Sequence, residues 1–402
     1  MCSVHMKLSA LLDSSESVGV VCMVSPYRDQ GSSPQSGVAA YTESLVTAVT
    51  RTQPVTVLAQ RSAETVSAGN LIVHPAWSLG RGGSAGLLSY VQILRPRVIH
   101  VQHEFRIFGS FIRTMLAMRR IGKLRREGVA LVVTLHGVID LTTIDSKFRS
   151  RNRVHAPVPW VRLGVRFASR DIRRMACLVI VHHERFADVL VEQYKFSRDD
   201  IYVIPMGRGV GIAERSEVST RQRGSNFRVL CFGYLTSYKD FELVVSVAER
   251  GRLHGVTFVF CVSERLPKNI RTKSRRLTEL EARVKAVGST VEWRGYVADD
   301  EVASVFAGSD LLLLPYTDCV SISAVASLAE SFGIPICHSE PIGRLLGSGP
   351  RMFQLNVESL EAAIGFVMKD SGPVVQDSLF PSWEVVAEMT KNAWVSAGHL
   401  SK

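Results

Sequence analysis

Residues Leu311–Glu340 read LLLLPYTDCVSISAVASLAESFGIPICHSE. An apolar strand closes at Pro315, a polar loop follows, then a helix of small residues, a Gly333-Ile334-Pro335 turn and a second apolar run to Ser339. This is the pattern of one βαβ unit whose loop lies at a strand's carboxyl end, where ligands bind in open α/β sheets. The loop carries Asp318, Ser321 and Ser323 just before the helix. The free N–H groups of a helix N-terminus favour an anion, so a phosphate is the expected guest.

The same rhythm extends in both directions. Upstream, Val18–Val24, Val55–Gln60, Val98–His103, Leu131–His136, Leu178–His183 and Tyr202–Met206 are short runs rich in Val, Ile and Leu, most of them separated by segments of helical length. Runs of this kind mark a parallel sheet covered on both faces. The pattern stops after Gly207, where GRGVGIAERSEVSTRQRGSN has a linker's content of Gly, Ser and charge. It then restarts with Val229–Gly233, Thr257–Val262, Val291–Gly295, Leu311–Pro315 and Ile334–Ser339. The expected fold class is therefore α/β, with two Rossmann-like domains facing an interdomain cleft. The domains are 1–207 and 227–380, joined by a linker at 208–226, and residues 381–402 form a terminal helix that packs back on the first domain.

A chain of 402 residues is long enough for two cores, and 46% hydrophobic with 21% charged residues suits a globular enzyme. No apolar run reaches the length of a membrane span, and Asp13 and Glu16 interrupt the region where a signal peptide would be apolar. A cytoplasmic protein is expected, peripheral at the inner face of the plasma membrane. The seven cysteines form no C-x-x-C pair, and several fall in predicted buried strands, so reduced core thiols are expected. The net charge of +11 is local. Residues 105–126 hold seven basic residues and no acid, and residues 146–174 hold nine against the single acid Asp171.

The motifs taken in order resemble the family-4 retaining glycosyltransferases of GT-B architecture. GSSPQSGVAAY (31–41), VIHVQHEF (98–105), VVTLHG (132–137), IYVIPMG (201–207), LCFGYLTSYKD (230–240), WRGY (293–296) and the 311–340 segment follow that family's order and spacing. Ser382, Trp383 and Glu384 resemble the start of its terminal helix. The resemblance implies a first domain on the acceptor side, a second that binds the nucleotide sugar, no cofactor and no metal. The sequence itself offers no Asp-x-Asp pair and no His/Cys cluster at ligand spacing.

Site residues follow from the resemblance, each beside a plainer reading. Lys239 matches a lysine that contacts the donor phosphates; it also reads as a solvated helix-start lysine. Ser36 and Gly37 match the phosphate loop, although an ordinary helix-start turn has the same sequence. His136 ends a predicted buried strand and matches a histidine placed at the donor sugar. His103 and Glu104 end the preceding strand, where they could orient an acceptor hydroxyl or serve the fold. His182 and His183 read as structural. Three departures stand out: Tyr234 replaces the family's arginine, Asp240 its glycine after the lysine, and Val320 and Leu328 its paired glutamates. Ser321, Ser323 and Glu330 are the remaining candidates for the nucleotide, although Glu330 lies roughly 200° around the helix from Leu328.

In the first basic segment Phe108, Phe111, Ile112, Met115 and Met118 recur at helical spacing, with Arg106, Arg113, Arg120 and Lys123 on other faces. In the second, Arg162, Arg166, Arg170 and Arg174 recur every four residues beside Trp160 and Phe167. Such stripes are often solvated faces. Their concentration here points to an acidic partner, in the order anionic membrane surface, anionic glycan, nucleic acid. The expected function is transfer of a hexose from a nucleotide diphosphate sugar to a lipid-linked or polysaccharide acceptor. The alternative is a non-catalytic GT-B-like protein that binds a glycan or a partner.

Overall fold

Alternating strands and helices build two parallel sheets. The structure, a computed structural model, describes residues 20–28, 36–78, 85–152, 154–209, 226–264, 274–369 and 379–400. It divides into two compact units, one of residues 1–207, 320–322 and 381–402, the other of residues 208–319 and 323–380. Most of the expected linker, and residues 31–35 of the expected phosphate loop, lie outside the described residues.

The first unit runs β1 (Val21–Val24), α1 (Gly37–Val49), β2 (Val55–Gln60), β3 (Val66–Ala68), β4 (Leu71–Trp77), α2 (Ala85–Leu94), β5 (Val98–His103), α3 (Phe111–Gly122), β6 (Ala130–Leu135), α4 (Ser146–Arg151), α5 (Val158–Met175), β7 (Leu178–Val181), α6 (Glu184–Tyr194) and β8 (Ile201–Val203). Its sheet has the order β3-β4-β2-β1-β5-β6-β7-β8. Every neighbouring pair is parallel except the β3/β4 hairpin, which turns through Gly69 at φ 51°. β1, β5, β6 and β7 are buried along their whole length, as a sheet covered on both faces requires.

The second unit runs β9 (Phe227–Tyr234), α7 (Phe241–Arg250), β10 (Val256–Ser263), α8 (Arg275–Val287), β11 (Val291–Trp293), α9 (Val302–Ala307), β12 (Leu311–Leu314), α10 (Ala324–Ser331), β13 (Ile336–Ser339), α11 (Glu340–Leu346), β14 (Met352–Phe353) and α12 (Val357–Lys369). Its six strands are parallel in the order β11-β10-β9-β12-β13-β14. That is the Rossmann order, with its topological switch point between β9 and β12. Val229, Cys231, Phe258, Phe260, Leu311 and Leu313 alternate along the strands and face one core with Phe241, Val244 and Leu280.

The chain ends in α13 (Trp383–Leu400), which packs on α1, β5 and β6 of the first unit. Trp394 is fully buried there, with Val386, Ala393 and Ala397. A Cβ on Gly207 would lie 2.5 Å from the Trp383 ring, so only glycine admits that ring. Arg51 pairs with Glu384 at 2.6 Å, and Lys391 donates to Thr52 at 2.9 Å.

Two sequence expectations need correction. The strand β4 was not expected, because Pro75 and the half-exposed His74 break the apolar alternation of Leu71–Trp77. The apolar face expected of the first basic helix is met only in part. Phe108 is buried but precedes α3, Ile112 is exposed, and the helix buries Met118 together with Thr114, Ala117 and Ile121. That helix packs on α5.

Candidate functional site

In the second unit the loops after β9 and β12 are stitched together at the switch point. Asp240 N–H donates to Pro315 C=O at 2.8 Å and Thr317 N–H to Tyr238 C=O at 2.7 Å, which forms a bridge between Lys239 and Tyr316. Lys239 is thereby drawn inward and is only 6% exposed. Its amine stands over the Tyr316 ring, 5.2 Å from the centroid, in cation–π geometry. Burial lowers its pKa, and the neighbour that opposes this is Tyr238, not a carboxylate. Gly233, at φ 114°, closes the far side, where a Cβ would lie 2.7 Å from the Lys239 Nζ and 3.7 Å from Val325 in the first turn of α10. A buried amine, a glycine that leaves it room and a helix N-terminus thus share one small volume.

Ser323 is the N-cap of α10: its Oγ accepts from Ala326 N–H and lies 3.2 Å from the Tyr316 hydroxyl. Ser321 belongs with residues 320–322 to the first unit, where Val138 N–H donates to Val320 C=O at 2.9 Å. The carboxylate of Glu330 is occupied by its own chain. It accepts from Leu379 N–H at 3.1 Å and Phe380 N–H at 3.4 Å, and faces Arg208 at 3.4 Å. Asp240, which stands in place of a glycine, caps α7 by accepting from Leu243 N–H at 3.1 Å.

In the first unit Ser36 caps α1 through Ala39 N–H at 3.0 Å, and nothing lies within 4 Å of a Cβ built on Gly37. One turn later Tyr41 meets the His136 ring edge-on, with centroids 4.7 Å apart. His136 N–H donates to His103 C=O at 3.1 Å, so the ends of β5 and β6 bring both histidines together. Both ring nitrogens of His136 already have partners: Nε2 lies 2.8 Å from Gln102 Oε1, and Nδ1 lies 3.3 Å from His182 Nε2. A sugar hydroxyl reaching this ring must share or replace one of these bonds. His103 is buried, its Nδ1 has no hydrogen-bond partner, and burial depresses its pKa to about 4. It faces a small cavity lined by Leu135, Tyr194 and Phe196. Glu104 is exposed. His183 caps α6. Sequence reasoning missed Gln102 and Tyr41; a glutamine in a strand expected to be buried was the available signal for the first.

The basic face also carries apolar side chains. Ile112 (69% exposed) and Leu116 on α3, with Trp160 (66% exposed), Leu163 and Phe167 on α5, stand among the exposed Arg113, Arg120, Arg166, Arg170 and Arg174. Arg119 instead pairs with Asp171 at 2.6 Å, and Arg162 donates to Ile144 C=O at 2.9 Å. No helix among the described residues is long and apolar enough to cross a membrane. No cluster of metal-ligating side chains occurs among them either.

Residues 35–208 match the family model described as Glycosyltransferase Family 4. That stretch, less than half of the chain, is similar to glycosyltransferase family 4. A stretch of 158 residues is 30% identical to mannosylfructose-phosphate synthase of Agrobacterium fabrum, covering 36% of this chain. The match spans about a third (33%) of that relative's length. The chain superposes on sucrose-phosphate synthase from Thermosynechococcus elongatus with a TM-score of 0.65 at 12% identity, covering 95% of this chain and 96% of that one. The Anabaena protein HepE, in complex with UDP-glucose, gives 0.58 at 17% identity over 94% of both chains. The catalytic domain of starch synthase IV from Arabidopsis thaliana, bound to ADP and acarbose, gives 0.64 at 12% identity, covering 96% of this chain and 100% of that one. The fold is GT-B, two Rossmann-like domains in one chain.

Proposed function

We propose that the protein is a retaining glycosyltransferase that moves a hexose from a nucleoside diphosphate sugar to a lipid-linked or polysaccharide acceptor, without a metal. The observation that carries this reading is Lys239. A buried amine with no carboxylate to balance it is costly, and an arriving diphosphate supplies the missing charge. In the transition state the same amine and the N–H groups at the start of α10 stabilise the negative charge that gathers on the leaving phosphate. Support for a nucleoside diphosphate comes from the similar structures that hold UDP or ADP. Retention rests on the family resemblance alone.

In this reading Lys239 and the Ser323 cap serve the leaving group, Ser36 and Gly37 add a second helix N-terminus, and His136 meets the sugar. Ser321 stays with the nucleotide, and His103 and Glu104 with the acceptor. Glu330 would take the ribose only by releasing the 379–380 backbone. The test is incubation with UDP-, ADP- and GDP-sugars, with and without lipid extract, following nucleotide release. Release with one donor supports transfer; neither release nor binding under any condition sinks it.

A second reading, a non-catalytic glycan- or partner-binding protein, is favoured by one observation. The paired acids of the family are Val320 and Leu328 here, and Glu330, two residues past the second, is committed to its own chain. Nucleotide binding without release from any donor would select it. For the acceptor we place the exposed arginines and aromatic side chains of α3 and α5 at an anionic membrane surface. Each basic side chain near such a leaflet contributes about 1 kcal/mol, and the apolar groups between them can enter the headgroup layer.

A further inference from the structure

A line of polar side chains crosses the first unit beneath His136. Trp394 Nε1 lies 3.1 Å from His100 Nδ1, and His100 Nε2 lies 2.7 Å from Thr134 Oγ1 and 3.3 Å from Gln102 Nε2. Gln102 Oε1 lies 2.8 Å from His136 Nε2; His136 Nδ1 lies 3.3 Å from His182 Nε2; and His182 Nδ1 lies 2.9 Å from Ile204 C=O. Trp394, His100, Gln102, Thr134 and His182 are all at most 3% exposed, so bulk solvent does not reach these bonds.

The two ends of the line dictate where its protons sit. An indole N–H only donates, so His100 Nδ1 accepts and His100 Nε2 bears the proton. A carbonyl only accepts, so His182 Nδ1 bears its proton and His182 Nε2 accepts from His136 Nδ1–H. With Gln102 Oε1 toward His136, that ring would need protons on both nitrogens, while Gln102 Nε2 would set an N–H against the N–H of His100. Rotating the Gln102 amide by half a turn removes both conflicts and gives up only the weak contact of Gln102 Nε2 with Met23 Sδ at 3.7 Å. Its oxygen then accepts from His100, and its NH2 donates to His136 Nε2. Burial and the neighbouring rings also hold His136 well below the ordinary histidine pKa, which agrees with a neutral ring.

We propose that His182 is a positioning residue for His136, fixing it as the neutral Nδ1–H tautomer whose Nε2 is the ring's acceptor. This rests on the reading that His136 meets the sugar, and it sharpens that reading: a sugar hydroxyl that bonds this ring nitrogen is a donor that takes the place of the Gln102 N–H on its single lone pair. Trp394 fixes the other end of the line, so the terminal helix takes part in setting His136.

The test is long-range 1H–15N correlation spectroscopy of the full-length protein labelled in histidine, at pH 7. Expected are an Nε2–H pattern for His100 and Nδ1–H patterns for His136 and His182, the latter being the less common tautomer of free histidine in water. In His182→Phe the His136 pattern should become a mixture, with kcat down about tenfold and the donor KM within about twofold, the scale of one lost hydrogen bond. An Nε2–H or doubly protonated His136 in the wild type overturns the proposal, and that spectrum is decisive even if the variant does not fold. The expected spectrum in a protein that transfers no sugar would leave the tautomer assignment standing and sink the glycosyltransferase reading instead.

Discussion

The Lys239 amine lies 5.2 Å from the centroid of the Tyr316 ring, and the main chains of the two residues form a bridge. This geometry keeps an amine inside the second unit with no neutralising acid among the described residues, which costs stability until an anion binds. Lys239→Met keeps the aliphatic stem and removes the charge. The free variant should be more stable than the wild type by about 1–3 kcal/mol, while nucleoside diphosphates should no longer raise its melting temperature. Calorimetric melts with and without nucleotide separate the two effects.

Gly233→Ala tests the room beside that amine. The backbone there has φ 114°, and the new Cβ would lie 2.7 Å from Nζ, so the lysine must move. We expect a loss of about 1–3 kcal/mol from the strained backbone, visible in a denaturant midpoint, together with weaker nucleotide binding. A variant with unchanged binding would place the phosphates elsewhere.

The buried histidines of the first unit make it acid-sensitive. Burial holds His100 at about 3 and His103 and His182 at about 4, and lowers His136 as well, against an ordinary value of 6.5. Above pH 6.5 both folded and unfolded chains carry these rings neutral. Below it the unfolded chain takes up protons first, so stability declines from about pH 6.5 down to about pH 4. The melting temperature should fall by roughly 5 °C or more between pH 7 and pH 5, and replacing His100 by Gln should shrink that fall.

Flotation with anionic and neutral liposomes tests the α3/α5 face. Recovery should be higher with anionic lipid and decline with salt, and Trp160→Ala with Phe167→Ala should lower it without altering soluble nucleotide binding. Equal recovery on both lipids would remove the membrane from the account.

Most of the architecture was legible because parallel strands buried on both faces are continuous apolar runs. Val55–Gln60 and Val98–His103 coincide with the observed strands to the residue. Strand β4 escaped because His74 and Pro75 interrupt its pattern, and the buried face of α3 was read only in part because it includes Thr114 and Ala117, which an apolar periodicity passes over. Lys239 could be singled out from sequence, but its burial could not, since that depends on the Tyr316 loop crossing over it. The line from Trp394 to His182 joins residues up to 294 positions apart and exists only once β5 and β6 pair in register, with Gln102 opposite Thr134.

The most direct measurement is isothermal titration of the wild-type protein with UDP, ADP and GDP, repeated on Lys239→Met. The account expects saturable binding of one of the three, weakened about thirtyfold or more in the variant, as befits loss of a buried charge contact. Failure of all three to bind, or equal affinity in the two proteins, would contradict it.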